Sequence, residues 1–271
     1  MANVIINDSN LTAIGNAIRS KNGETTLYKP REMAAAIEAI QTGGGSSGGG
    51  DDALRAGLVG VLNNAENVNF VVPAGATYIP MHFLRNQPGL ATITFEDPSK
   101  MNYIDSYAFA YSENFTVDAL PSSLWNIGNS AFYDCYNLAL KEFPSNLQSI
   151  DQYAFFDCYK LEADEIPEGV TTIGAQAFNY AYQTNPPAML TLPASLETIG
   201  QGAFQNTFLK AIRFKGTPKS INKYTFNNSR IYDIYVPWGS GEIISDVTTS
   251  APWGATSATI HYNVSPDEVI A

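Results

Sequence analysis

Apolar positions in the middle of the chain recur as a block. In Ser149–Leu161 the pattern is Ile150, then Ala154-Phe155, Cys158 and Leu161, or Ile-x-x-x-Ala-Phe-x-x-Cys-x-x-Leu. It returns as Ile127, Ala131-Phe132, Cys135 and Leu138, with looser copies at Ile104/Phe109, Ile173/Phe178, Ile199/Phe204 and Ile221/Phe226. Phe109, Phe132, Phe155 and Phe178 follow one another at 23 residues, and the next steps are 204−178 = 26 and 226−204 = 22. Phe83, four residues after Ile79, marks a degenerate first turn. A fixed period of 20–29 residues predicts a solenoid built from leucine-rich-repeat turns.

The columns describe one turn. Six residues before the Ile stands Pro73, Pro121, Pro144, Pro167 or Pro193, and an apolar Leu120, Phe143, Ile166 or Leu192 precedes most of these. A Pro there suits the end of a short strand, because it cannot donate to a further ladder bond. The residue after the Ile is Gly128, Gly174, Gly200, Asp105, Asp151 or Asn222, types that tolerate a tight turn at positive φ. Three residues beyond the Phe the column is small: Ser112, Cys135, Cys158, Ala181, Thr207 and Ser229. One turn cannot bury such a face alone, whereas stacked turns make a continuous core.

This turn resembles the BspA-like class of leucine-rich repeats, common in bacterial surface proteins and in bacteriophage tail proteins. The resemblance runs from about 68 to 229 in six near-matches, departing at Pro80 and Phe83, at the inserted 183–187 and at Thr225. It implies binding or adhesion, with no catalysis and no common set of functional residues. The expected fold class is α+β: a right-handed leucine-rich-repeat β-solenoid of about seven turns over 68–231, with a small N-terminal helical head and terminal caps.

The flanks divide the remainder. Residues 1–42 suggest two short amphipathic helices, with Leu11, Ile14 and Ile18 on one face of the first and Met33, Ile37 and Ile40 on one face of the second. Each is too short to be stable alone, so these six residues are expected to serve assembly. Residues 43–50, Gly-Gly-Gly-Ser-Ser-Gly-Gly-Gly, form a flexible tether. Asp51-Asp52 can cap a helix over 51–67 that covers the open first turn. Residues 232–271 form a C-terminal cap in which Trp238 and Trp253 make a plug under an alternating strand. The head also resembles N-terminal segments of tail-associated proteins from phages of Gram-positive bacteria. The ending Ala251-Pro252-Trp253-Gly254-Ala255-Thr256 resembles closing segments of phage-encoded repeat proteins.

Composition narrows the partners. A net charge of −11 and a pI near 4.5 argue against nucleic acid or an anionic membrane, which need clustered Lys and Arg. Neither a bilayer-spanning apolar run nor a secretory signal is visible, and the second point weighs against an exported adhesin. Cys135 and Cys158 share one column and suit small buried thiols better than a disulfide or metal pair. His82 and His261 are 261−82 = 179 residues apart, with no nucleophile–base set around them. The acidic run Glu162, Asp164, Glu165 and Glu168 lacks calcium-loop spacing and reads as a solvated face. No cofactor or metal is expected.

One column looks like a surface. Tyr136, Tyr159, Tyr182 and Phe208 each stand four residues after the anchor Phe, with Tyr133 and Phe156 one after it and Tyr153 and Tyr224 two before. Two roles are open to this ladder: stacking that shields the core, or sugar and protein recognition by flat rings with polar tips. The expected function is a phage virion structural protein at the tail tip or fibre, contacting a host-surface glycan or protein and other tail proteins. Homo-oligomerisation through the head would supply avidity. The rivals are a bacterial surface adhesin and a cell-wall glycan hydrolase.

Overall fold

The computed structural model describes residues 68–72, 76–241, 251–266 and 268. The expected head, tether and N-terminal capping helix, with Leu11, Ile14, Ile18, Met33, Ile37 and Ile40, lie outside them. The described chain is a solenoid of about eight turns. Its only helical segment is the single 3₁₀ turn Pro98–Lys100.

Each repeat contributes one corner strand. Tyr78–Ile79, Tyr103–Ile104, Asn126–Ile127, Ser149–Ile150, Thr172–Ile173, Thr198–Ile199 and Ser220–Ile221 form a parallel seven-stranded sheet with every Ile in register. Side chains alternate across a strand, so each Ile enters the core and its predecessor faces out. On the next side Val68–Val72 pairs with Leu90–Phe95. Further along the same side, Leu190–Leu192, Ala211–Phe214, Asp233–Tyr235 and Thr259–His261 make a four-stranded parallel sheet. Between the sheets the chain folds as successive tight turns that close the third side.

That third side has its own ladder. Phe109, Phe132, Phe155 and Phe178 each donate a backbone N–H to the carbonyl of Ala131, Ala154, Ala177 and Ala203 in the following turn, at 2.7–2.8 Å. The same bond runs from Leu84 to Ala108, so Leu84 and not Phe83 is the first anchor. It stands the usual five residues after Ile79, and Phe83 instead packs edge-on against Phe70 at 5.7 Å. The hydrogen-bond register, which apolar character alone does not reveal, decides between the two neighbours.

The left-handed residues also lie elsewhere than expected. No residue after a column Ile has positive φ; the positions two before and two after the anchor do, as in Tyr107 (56°), Tyr111 (64°), Tyr153 (58°) and Asp157 (58°). Glycine follows the Ile for another reason: a Cβ on Gly174 would come within 2.4 Å of the Gln152 backbone nitrogen one turn earlier. There the backbones touch.

Inside, the anchor rings form one stack. Phe109 to Phe204 follow at centroid distances of 5.1, 5.3, 5.3 and 5.1 Å with planes within 13°, all completely buried. The small column supplies hydrogen bonds as well as space. Ser112 Oγ donates to the Leu84 carbonyl at 2.7 Å, and the Cys135 and Cys158 thiols donate to those of Phe109 and Phe132 at 3.2 Å. Both cysteines are free, and burial raises both thiol pKa values above the ordinary range. At the far end Phe226 donates to the Trp253 carbonyl, while buried Trp253 and Trp238 pack edge-on at 6.3 Å and close the core.

Candidate recognition surface on the turn side

The turns that position the anchors also project rings outward. Tyr133 and Phe156, one residue after successive anchors, stack at 4.7 Å with planes 2° apart. Tyr111 extends the file on one side at 5.4 Å, and Tyr180 on the other at 6.1 Å. Tyr153 sits edge-on to both central rings, at 6.3 Å from Tyr133 and 5.7 Å from Phe156. The Arg85 guanidinium covers the end of the file, 5.1 Å from the Tyr111 centroid. Beside it runs a shorter file, Tyr136 on Tyr159 at 5.1 Å. These rings are half-buried or exposed, with Tyr180 showing 43% of its surface.

Between the two files lie Asp134 and Asp157, at the same position in adjacent turns. The two acids and the Tyr136 hydroxyl are close enough to influence one another, and Asp157 Oδ1 is buried without a hydrogen-bond partner. Burial, then the neighbouring Asp134 charge, pushes Asp157 up to about 7; burial raises Asp134 too. The charge of each acid raises the other's cost of ionising, so their titrations are linked. The same burial raises the hydroxyl pKa of Tyr133, Tyr136 and Tyr159, keeping them donors.

Four of the six residues expected on this surface are therefore brought together: Tyr133, Tyr136, Phe156 and Tyr159. Tyr182 is not among them. It is completely buried, in a left-handed conformation (φ 57°), with its ring 6.0 Å from Phe178. The inserted 183–187 follows immediately and carries the chain off the repeat path, so equal column number no longer means equal direction. Phe208 is separate, half-buried with the Arg230 guanidinium 3.4 Å over its ring. Tyr111 and Tyr180 were missed because they stand two residues after their anchors, where Tyr133 and Phe156 stand one after. Allowing a one-residue slip in the column would have found them.

The remaining candidates are dispersed. His82 lies against Tyr107 in the first turn, while His261 stacks on Tyr235 at 4.5 Å and pairs with Asp233 at 2.8 Å. Asp164, Glu165 and Glu168 of the acidic run are exposed or half-buried at most, and Glu165 pairs with Lys215. Among the described residues no group of His, Cys, Asp or Glu could hold a metal ion. No helix there is long and apolar enough to cross a membrane.

A parallel solenoid with an Ile corner, a buried Phe stack and one turn per 22–26 residues is the architecture of a leucine-rich-repeat protein. Residues 61–185 and 179–250 match the family described as BspA type leucine rich repeat region, in six copies; the chain belongs to that family. Among solved structures, a leucine-rich repeat protein from Bacteroides ovatus is 18% identical, with 72% of this chain and 60% of that one covered and a TM-score of 0.47. The chain thus spans 60% of that protein's length. The T. pallidum leucine-rich repeat protein is 21% identical over 73% of this chain and 75% of that one, TM-score 0.44. The pneumococcal vaccine antigen PcpA is 19% identical over 72% and 68%, TM-score 0.40. No curated protein matches.

Proposed function

We propose that this chain is a non-enzymatic recognition protein whose turn-side aromatic surface contacts a surface glycan or protein. The carrying observation is the outer file Tyr111–Tyr133–Phe156–Tyr180, continuous across four turns and left half-open to solvent. Flat rings give apolar contact, and the adjoining hydroxyls and carboxyl pair give hydrogen-bonding direction. The setting we propose is a phage virion at the tail tip or fibre. Its support is the sequence of the head and of the closing Ala251–Thr256, and the head would attach and oligomerise the protein. Linked copies would then raise avidity without new contacts. The repeat family itself favours a second setting, the bacterial cell surface.

Replacing Tyr133, Tyr136, Phe156 and Tyr159 together by Ser tests the surface. Attachment to host cells should fall at least about tenfold while the folded fraction stays near that of the parent. Unchanged attachment by a folded variant would remove the file as the site. Immunogold microscopy of purified particles tests the setting: label at the tail tip supports the virion, and label on uninfected cells supports the adhesin.

A further inference from the structure

A second face differs from the turn side in charge and geometry. The seven-stranded sheet turns two residues of each strand region outward: the one preceding the Ile and the one before that. Through the first five strands these ten positions, from Thr77-Tyr78 to Thr171-Thr172, hold no Asp, Glu, Lys or Arg. The chain as a whole carries 26 acidic and 15 basic residues, so the strip is set apart from its surroundings by neutrality as well as by shape. The first charges on these files, Glu197 and Lys219, neutralise each other at 2.7 Å.

One end of the strip is aromatic. Tyr78 stacks on Tyr103 at 5.0 Å with planes 13° apart, and Trp125 leans on Tyr103 at 6.0 Å and 52°. Tyr78 is 37% and Trp125 45% exposed. The contact with Tyr103 fixes the orientation of the exposed Trp125 ring. The strip then continues in amide and hydroxyl groups. Asn126 Nδ2 donates to Ser149 Oγ at 2.7 Å, and Thr198 Oγ1 to Thr172 Oγ1 at 3.3 Å. The hydroxyl oxygens keep acceptor capacity towards solvent. The half-buried Asp151 also accepts from Asn126 at 3.3 Å and so lies at the strip's rim.

We propose that this sheet face binds an uncharged oligosaccharide, one sugar ring lying on Trp125, the exposed end of the Tyr78–Tyr103–Trp125 stack, and the following rings hydrogen-bonding the Asn126, Ser149 and Thr172 file. Pyranose C–H faces match exposed aromatic rings, sugar hydroxyls match a row of amides and hydroxyls, and neither partner buries an unpaired charge. An anionic ligand finds no cation among these ten positions. The site does not depend on the turn-side surface, which lies on another side of the solenoid.

The test is binding of the full chain to immobilised oligomers of β-glucan, mannan and N-acetylglucosamine, with hyaluronate and polylysine as charged controls. At least one uncharged oligomer should be retained, with affinity changing less than about twofold between low and high salt because no ion pair is involved. Trp125→Ala should weaken it about tenfold or more, and Trp125→Phe should keep most of it. Melting temperatures of these surface variants should stay within about 2 °C of the parent, which separates lost binding from lost fold. Retention of charged oligomers only, of none, or equally by Trp125→Ala would overturn the proposal. So would a dimer that Trp125→Ala converts to monomer, since that gives the face to a second copy. The Tyr133→Ser, Phe156→Ser variant should retain the oligosaccharide. If that variant also attaches normally to cells, the turn-side reading falls and the sheet-face site stands.

Discussion

The molecule carries two ladders of aromatic rings at the same repeat, one inside and one outside. The inner ladder, Phe109 to Phe204, has centroid spacings of 5.1–5.3 Å, uniform chemistry and complete burial. The outer one, Tyr111 to Tyr180, has spacings of 4.7–6.1 Å, ring planes from 2° to 70° apart, and mixes Tyr with Phe. Stacking alone therefore says little about role, because any column of rings in a solenoid is brought into contact. What separates the ladders is constraint. Every inner ring must fill the same space between the same neighbours, whereas the outer rings are held on one side only.

The sharpest way to break this contrast is to remove one ring from each ladder. Phe155→Ala should cost about 3–5 kcal/mol in denaturant unfolding, as for a buried Phe leaving a cavity. Phe156→Ala, the next residue, should cost less than about 1 kcal/mol. Equal losses would mean that the outer ladder is part of the core. Gly174→Ala asks whether the inner spacing can relax: its Cβ would meet backbone at 2.4 Å, so a loss of about 1–3 kcal/mol is expected in the same assay. Should the turns slide apart freely, no loss would be seen.

Smaller effects sharpen the boundary. Tyr182 belongs to the inner side, yet its buried hydroxyl has no hydrogen-bond partner. Tyr182→Phe should therefore hold or raise stability by roughly 1 kcal/mol, and cell attachment should not change. A drop in either would return Tyr182 to a polar or binding role.

The carboxyl pair belongs to the outer side and should report through pH. Asp157 titrates near 7 when folded, above the ordinary carboxyl value near 4 when unfolded. Between those values the folded state binds more protons, so this group's stability is full below the unfolded value and is lost as pH rises through about 7. Thermal unfolding from about pH 5 to about pH 8 should show that decline, and Asp157→Asn should flatten it. At the alkaline end the variant should gain on the order of 1 kcal/mol, allowing for solvent screening of a half-exposed acid. A slope that persists in the variant would assign it to other groups.

The Ile, Phe and Cys columns were legible in the sequence because burial imposes the same demand on every turn. Where two apolar residues adjoin, as at Phe83-Leu84, the demand is met by either in composition, and only the inter-turn hydrogen bond from Leu84 chooses. The left-handed positions were hidden for a related reason. Tyr107, Tyr111, Tyr153 and Tyr180 hold positive φ without being Gly or Asn, since backbone bonds to the adjoining turns fix a conformation that local preference would not. Column counting reached Tyr133, Tyr136, Tyr153, Phe156 and Tyr159 of the candidate surface but neither Tyr111 nor Tyr180. The rest depended on side-chain direction, which a one-residue slip at Tyr111 and the insertion after Tyr182 both change.

The inter-turn bonds have a mechanical consequence. On the strand side Gly128 donates back to Ile104, whereas on the turn side Phe109 donates forward to Ala131, so every interface is held by bonds pointing both ways along the axis. A pull on the ends of the described chain loads those bonds only at the outermost turn; the rest remain shielded behind it. Extension would then proceed by peeling single turns, each 23-residue unit releasing roughly 75–80 Å of chain. A tether that lengthens in such steps can absorb a sudden tug while the inner turns keep their shape.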